Sequence, residues 1–380
     1  VIRYYVFFEF IQGSFTIKNQ IMKIKTWSLI AFATAIILSL NSCKKKEEQP
    51  TDENHQVHTD PIPLNINYPA AYIVNGASNN ISVLRLSDNI LTETISLNGA
   101  TFPHHIYLNS TKTKLAVAIT SADLSGGHVG HGGSLPGQKI QIIDVVTGNI
   151  DKEINVSQLP HNAIYNFLGT ELWIPQGDSV SGTVMVYKTS DWTLQNTVNV
   201  GKLPSEVTFS NDGSKVYVAN TKDGTISIID PTSKVVLQTL STGINPVGAW
   251  PASNGKMYAD NEGSQTVSEI DVVTNTITAT INLGYTPGYV AYNSTNSELW
   301  VSDATNGKVV YYTLISNVWT IQGNIITGAN AHAIAFSTDN SKAYVTNQDT
   351  NTISIINVLT HSVTTTVNVG SKPNGVVLTQ

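Results

Sequence analysis

The sequence predicts an all-β fold, a seven-bladed β-propeller of four-stranded antiparallel blades. Three observations carry this reading. From Tyr68 onward, apolar and polar residues alternate at period two, and helical spacing never takes over. One kind of apolar segment, ending in a small or amide residue, occurs seven times: AYIVN (71–75), LAVAI (115–119), LWIPQ (172–176), VYVAN (216–220), MYADN (257–261), LWVSD (299–303) and AYVTN (343–347). Successive copies lie 41–44 residues apart, except for one interval of 57 that holds a glycine-rich insertion at 121–138. Finally, the two ends are complementary. The first copy lacks the Pro-led strand that precedes the others, and KPNGVVLT (372–379) is such a strand with nothing after it. Together they make one blade, so the C-terminal strand is expected to complete the first blade and close the ring.

Taken in order, residues 1–21 contain an apolar patch, YYVFFEF, upstream of a good initiator at Met22, and read as an extension from a start assigned too early. Residues 22–42 have the form of a lipoprotein signal peptide. Lys23 and Lys25 precede the apolar run WSLIAFATAIILSL, which is shorter than the roughly 20 residues that span a bilayer. The run leads into Leu40-Asn41-Ser42-Cys43, which resembles a bacterial lipobox and makes Cys43 the expected lipidation site. An ordinary secretory signal with an incidental Cys is the alternative. The charged tract Lys44–Glu48 is similar to export tags of some Bacteroidetes surface lipoproteins. Residues 43–66 are polar and without periodicity, a disordered tether that leads into the propeller at 67–380. The chain is therefore expected to be exported and lipid-anchored on the outer-membrane, periplasmic or cell-surface side, with no transmembrane helix in the mature protein.

Within each repeat a Pro-led strand such as PSEVTF (204–209) comes first, then a turn, then the recurring segment. A second apolar strand follows, as in TISIID (225–230), and a Thr/Val strand such as TITATINL (276–283) closes the unit. β-Branched residues suit that last strand if one of its faces meets water. Trp173 and Trp300 sit on second strands, where a core or interblade role is expected. Asp230 and Asp271 follow third strands and read as turn and cap residues; Asn75, Asn220, Asn261 and Asn347 read as part of the repeat's own hydrogen bonding.

VYVAN and AYVTN, with G-T-I-S-I-I-D and a G-x-x-P link, resemble the YVTN-type propeller repeat of YncE-like and surface-layer propellers, over residues 68–380. The G-H and W-D pairs of WD40 repeats are absent. The resemblance implies the fold and leaves the activity open, since propellers host scaffolds, binding proteins and several kinds of enzyme.

The histidines depart from the repeat. When the Pro-led strands are aligned by their Pro, the next residue is His104, His161, Ser205, Val247, Gly288 or Asn374; in the remaining copy Ala331 replaces the Pro and His332 follows. His104, His161, His332 and Asn374 therefore belong to four consecutive blades, at the channel entrance. The insertion leaves on the same face and brings His128 and His131. Imidazoles gathered in this way suit Zn or Cu, with Asp123 or Asp178 able to add an oxygen. His104, His161 and His332 are expected as the ring-borne set, and His128 and His131 as the inserted one. His105, adjacent to the set, is a further candidate that ranks below them, because neighbouring strand residues point to opposite sides. Histidines that merely bond nearby carbonyls are the alternative.

Composition narrows the partners. Lys plus Arg number 21 against 27 Asp plus Glu, a net charge of -6, so no nucleic acid is expected. The single cysteine excludes an intrachain disulfide. No nucleophile elbow, H-E-x-x-H, phosphate loop or dinucleotide fingerprint occurs. The sequence thus favours a binding or scaffold protein, rather than an enzyme, that recognises an envelope protein, glycan or small ligand through its insertion-bearing face. The alternative is a metal-binding propeller, a metalloenzyme or a redox-enzyme partner that uses the histidines.

Overall fold

A computed structural model describes residues 64–126 and 133–380. The upstream extension, the signal segment, Cys43, most of the tether, His128 and His131 lie outside the described residues. Seven four-stranded antiparallel sheets form the blades of a propeller, as the repeats predict. Their innermost strands are Pro373–Leu378, Pro103–Leu108, Ile164–Tyr165, Pro204–Phe209, Pro246–Pro251, Pro287–Asn293 and Ala331–Phe336, for blades 1 to 7. Blade 1 is completed by the C-terminal strand: Ala71 pairs with Leu378, Ile73 with Val376 and Val74 with Gly375. The Thr379 amide extends the join by donating to the Ala70 carbonyl at 2.9 Å. Leu64 and Ile66 pack against the apolar layer between blades 1 and 2.

Burial follows the strand order. Pro204–Phe209 is buried along its whole length, whereas Ser362–Asn368, an outermost strand, alternates exposed and half-buried residues. Trp173 and Trp300 are fully buried between blades, edge-on to Phe209 and Phe336 at 5.6 and 5.2 Å. Asp230 and Asp271 cap turns, each accepting two backbone amides at 2.7–3.0 Å.

The recurrent asparagines tie the second strand of a blade to its third. Asn347 Nδ2 donates to the Thr352 and Ser354 hydroxyls, both at 3.0 Å, and Asn220 does the same with Thr225 and Ser227 at 3.1 and 2.9 Å. A glycine of the preceding link lies flat against each amide. A Cβ at Gly328 would come within 2.8 Å of Asn347 Cγ, and one at Gly201 within 2.6 Å of Asn220 Cγ. The Asn-to-Gly pairing is thus a packing demand of the propeller. Asn347→Ala is expected to cost about 1–3 kcal/mol, by leaving buried hydroxyls short of a donor. Chemical denaturation of the purified variant measures it.

A second local feature matters more for the site. The pairing of innermost with second strands slips just after the entrance residue: between Pro103 and Ile106, Pro204 and Val207, Pro246 and Gly248, Pro287 and Tyr289, and Ala331 and Ile334. Such bulges break the strict alternation of side chains along a strand.

Candidate metal centre in the channel

The bulge in blade 2 turns two successive histidines to one place. His104 and His105 have ring centroids 4.4 Å apart, and His161 of blade 3 lies 4.5 Å from the first and 5.2 Å from the second. All three are at least 96 % buried. Each offers a nitrogen, and these ligand atoms lie within 4.8 Å of one another, so the trio forms a buried cluster able to coordinate a metal ion such as Zn or Cu.

Glu206, from the entrance of blade 4, organises this cluster. Its side chain is completely buried. Oε1 lies 2.6 Å from His161 Nδ1 and 3.4 Å from His105 Nδ1, and Oε2 accepts the Tyr107 hydroxyl at 2.8 Å. A carboxylate on Nδ1 fixes an imidazole with its proton on that nitrogen and its lone pair on Nε2, as metal-binding histidines require. Burial, reinforced by the Glu206 charge, pushes the Tyr107 phenol well above its ordinary range, so it stays a donor. A buried carboxylate is costly without positive charge nearby. A cation held by the neighbouring imidazoles would supply that charge.

Beneath the histidines lies an aromatic floor. The Trp250 indole is roughly parallel to His105 at 6.3 Å and meets Tyr289 at 3.8 Å. Asp260 holds it there, accepting Trp250 Nε1 at 2.8 Å and the Gly248 amide at 3.0 Å. Gly248 is required, because a Cβ would come within 2.5 Å of the indole.

The expected site is corrected in several places. His105 belongs to the cluster, because the bulge overrides alternation. His332 stands beside the cluster, 5.7 Å from His105 and 6.3 Å from His104, with Nδ1 2.9 Å from the Asn374 carbonyl. Asn374 spends its amide on the Pro103 carbonyl at 3.3 Å. Asp178 caps a turn through the Val180 and Ser181 amides, and Asp123 accepts the Ser125 amide; neither belongs to the cluster. The described start of the insertion does reach the channel mouth. Leu124 to Gly126 line a cavity of about 360 Å³ with His332, and Asn330 donates to the Ser125 carbonyl at 3.1 Å. Glu206, Asp260 and Trp250 were not singled out from the sequence. The available signal was a carboxylate in PSEVTF, where companion strands carry Gly, Ala, Asn, His or Tyr and no charged carboxylate.

The Choice-of-anchor I domain family matches residues 104–321. The chain belongs to that family. Assignment to YVTN or YncE-like propellers is thereby corrected, and the descriptors lipoprotein and membrane are not carried over to this Choice-of-anchor I protein. The quoted motifs misled because the Asn latch and its glycine answer a packing demand of the ring rather than marking one family. No curated protein matches the chain. Among solved structures, it is similar to a candidate 6-phosphogluconolactonase from Bacteroides fragilis (13 % identity, 83 % of this chain and 99 % of that one, TM-score 0.66). It is also similar to the periplasmic gluconolactonase of Pseudomonas aeruginosa (15 %, 82 % and 98 %, TM-score 0.62). A third is the hydrazine synthase of Kuenenia stuttgartiensis (16 %, 72 % and 88 %, TM-score 0.59). At these identities the likeness establishes the propeller alone. The leaning away from an enzyme is nevertheless overturned. Enzymes are prominent among the similar propellers, and this Choice-of-anchor I chain carries a buried three-histidine cluster rather than a bare platform. Among its described residues, no helix is long and apolar enough to cross a membrane.

Proposed function

We propose that this propeller is a metal-dependent enzyme acting on a small carbonyl compound such as an ester or lactone, with His104, His105 and His161 as ligands. The observation that carries the proposal is the trio itself, with its ligand atoms within 4.8 Å of one another and Glu206 on the Nδ1 of His161. Three neutral imidazoles are a donor set suited to catalytic zinc, which leaves a coordination position open. A bound Zn or Cu ion would supply a Lewis acid for a carbonyl oxygen or for water. The chain's own residues do the rest. Glu206 sets the tautomers, Tyr107 holds Glu206, and the burial of all three histidines sets the ligand nitrogens apart from bulk water. The lactonases among similar propellers support the choice of carbonyl chemistry. Export, read from the segment between Met22 and Cys43, remains part of the proposal.

Elemental analysis of the full chain, purified without a histidine tag and loaded with Zn²⁺ or Cu²⁺, tests it. The expected result is about one tightly held ion per chain, lost in His161→Ala and in His104→Gln. Circular dichroism should show an intact ring in both variants. Equal metal in both variants and the parent, or sub-stoichiometric metal after loading, would overturn the assignment.

A further inference from the structure

The geometry points to the channel end opposite the insertion as a binding site for a planar aromatic small molecule without negative charge. It rests on the proposed role of the histidine centre, and supplies the substrate class that centre would serve. Each innermost strand enters the channel at its Pro or Ala331 and leaves it about five residues later. At that exit lies a cavity of about 450 Å³, walled by Tyr107, Ile164, Phe209, Trp250 and Tyr289, with Phe167 at the rim. Its size falls within the range of small-molecule sites, and its lining has the matching character, mostly apolar and aromatic with few polar groups.

Three features mark it as built rather than left over from packing. The Trp250 wall is held edge-on by Asp260 and accommodated by Gly248, an arrangement that orients a flat surface. Phe167 is 68 % exposed at the rim, an apolar side chain placed in water where an incoming ring would cover it. An adjoining cavity of about 290 Å³ shares Tyr107, Leu108 and Tyr289 with the first and is lined by His105, so the aromatic basin leads to the histidine cluster. The other mouth already holds Leu124 and Ser125 of the insertion.

Charge selects the class of ring compound. Among the described residues, no lysine or arginine lines the aromatic cavity. Two buried carboxylates stand directly behind its wall, Glu206 through Tyr107 at 2.8 Å and Asp260 through Trp250 at 2.8 Å. Both, added to burial, raise the Tyr289 phenol above its ordinary value, so both act on the cavity. In the metal-free chain the cavity wall offers no cation to offset the repulsion that an anionic ligand such as a sugar phosphate would meet; Lys112 lines only the adjoining cavity. A neutral or cationic ring gains from stacking and, if charged, from the π faces.

Fluorescence titration of the full chain stripped of metal tests this, using 2-naphthol, with 2-naphthalenesulfonate as the anionic counterpart. The expected result is saturable naphthol binding, about tenfold weaker in Trp250→Leu and measurably weaker in Phe167→Ala, whose exposed side chain can be removed without touching the core. The sulfonate should bind at least about tenfold more weakly than naphthol. Naphthol affinity unchanged in both variants, or equal binding of the sulfonate, would overturn the inference. His161→Ala separates the two proposals: it should lose metal and keep naphthol. A parent protein that stays sub-stoichiometric in metal after loading yet binds naphthol through Trp250 would sink the metal reading and leave the aromatic site standing.

Discussion

Glu206→Gln is expected to lower metal affinity on the order of 10- to 100-fold while leaving the metal-free protein as stable as the parent, or more so. Glutamine keeps the shape of the side chain but has only one accepting atom. Glu206 accepts the Tyr107 hydroxyl on one oxygen and faces His161 Nδ1 with the other, so the amide cannot serve both. If its NH₂ turns toward His161, the imidazole must present a lone pair at Nδ1 and carry its proton on Nε2, the wrong tautomer for a ligand. Removing the carboxylate also removes a fully buried charge, whose desolvation opposes folding whenever no cation sits beside it. Calorimetric titration with Zn²⁺, alongside thermal melts with and without metal, reads both effects. A purely structural Glu206 would give the opposite pattern: lower melting temperature in both states and unchanged metal affinity.

Removal of residues 371–380 is expected to produce the largest loss of stability. The strand Pro373–Leu378 supplies the whole inner edge of blade 1, and without it Ala71 to Val74 become an unpaired, apolar edge. The Lys372 carbonyl, which accepts the Gly76 amide at 2.8 Å, and the Asn374 carbonyl beside His332 go with it. Loss of the buried face of this strand alone removes on the order of 5 kcal/mol. That corresponds to a fall of roughly 10 °C in melting temperature. The exposed edge should also make the protein self-associate, which light scattering detects. Addition of a peptide spanning residues 371–380 should restore the melt; if truncation leaves the melt unchanged, the C-terminal strand is not the closure.

Seven blades, their order and the closing strand were all legible in the sequence, and for a common reason. Each blade is a local unit whose four strands follow one another within about 40 residues, and turn residues and alternation mark each strand. The complementary ends belong to the same pattern, so the long-range strand pairing that closes the ring, Ala71 with Leu378, could be read from what each end lacked. That histidines gather at one side of the channel was legible too, because the entrance position recurs once per repeat.

Only the tertiary structure decided which histidines meet. Alternation argued against His105, and a slip of pairing between Pro103 and Ile106 reverses that argument; bulges of this kind leave little trace in residue type. Glu206 and Asp260 look like ordinary residues of PSEVTF and MYADN. Their meaning comes from Tyr107, His161 and Trp250, 10 to 99 positions away in the chain. The sequence by itself determined the ring, because a repeated fold rests on short-range periodicity. The chemistry at its centre was decided by the closure of that ring, which alone sets residues from blades 2, 3, 4 and 5 within hydrogen-bond and ring-contact distance of one another.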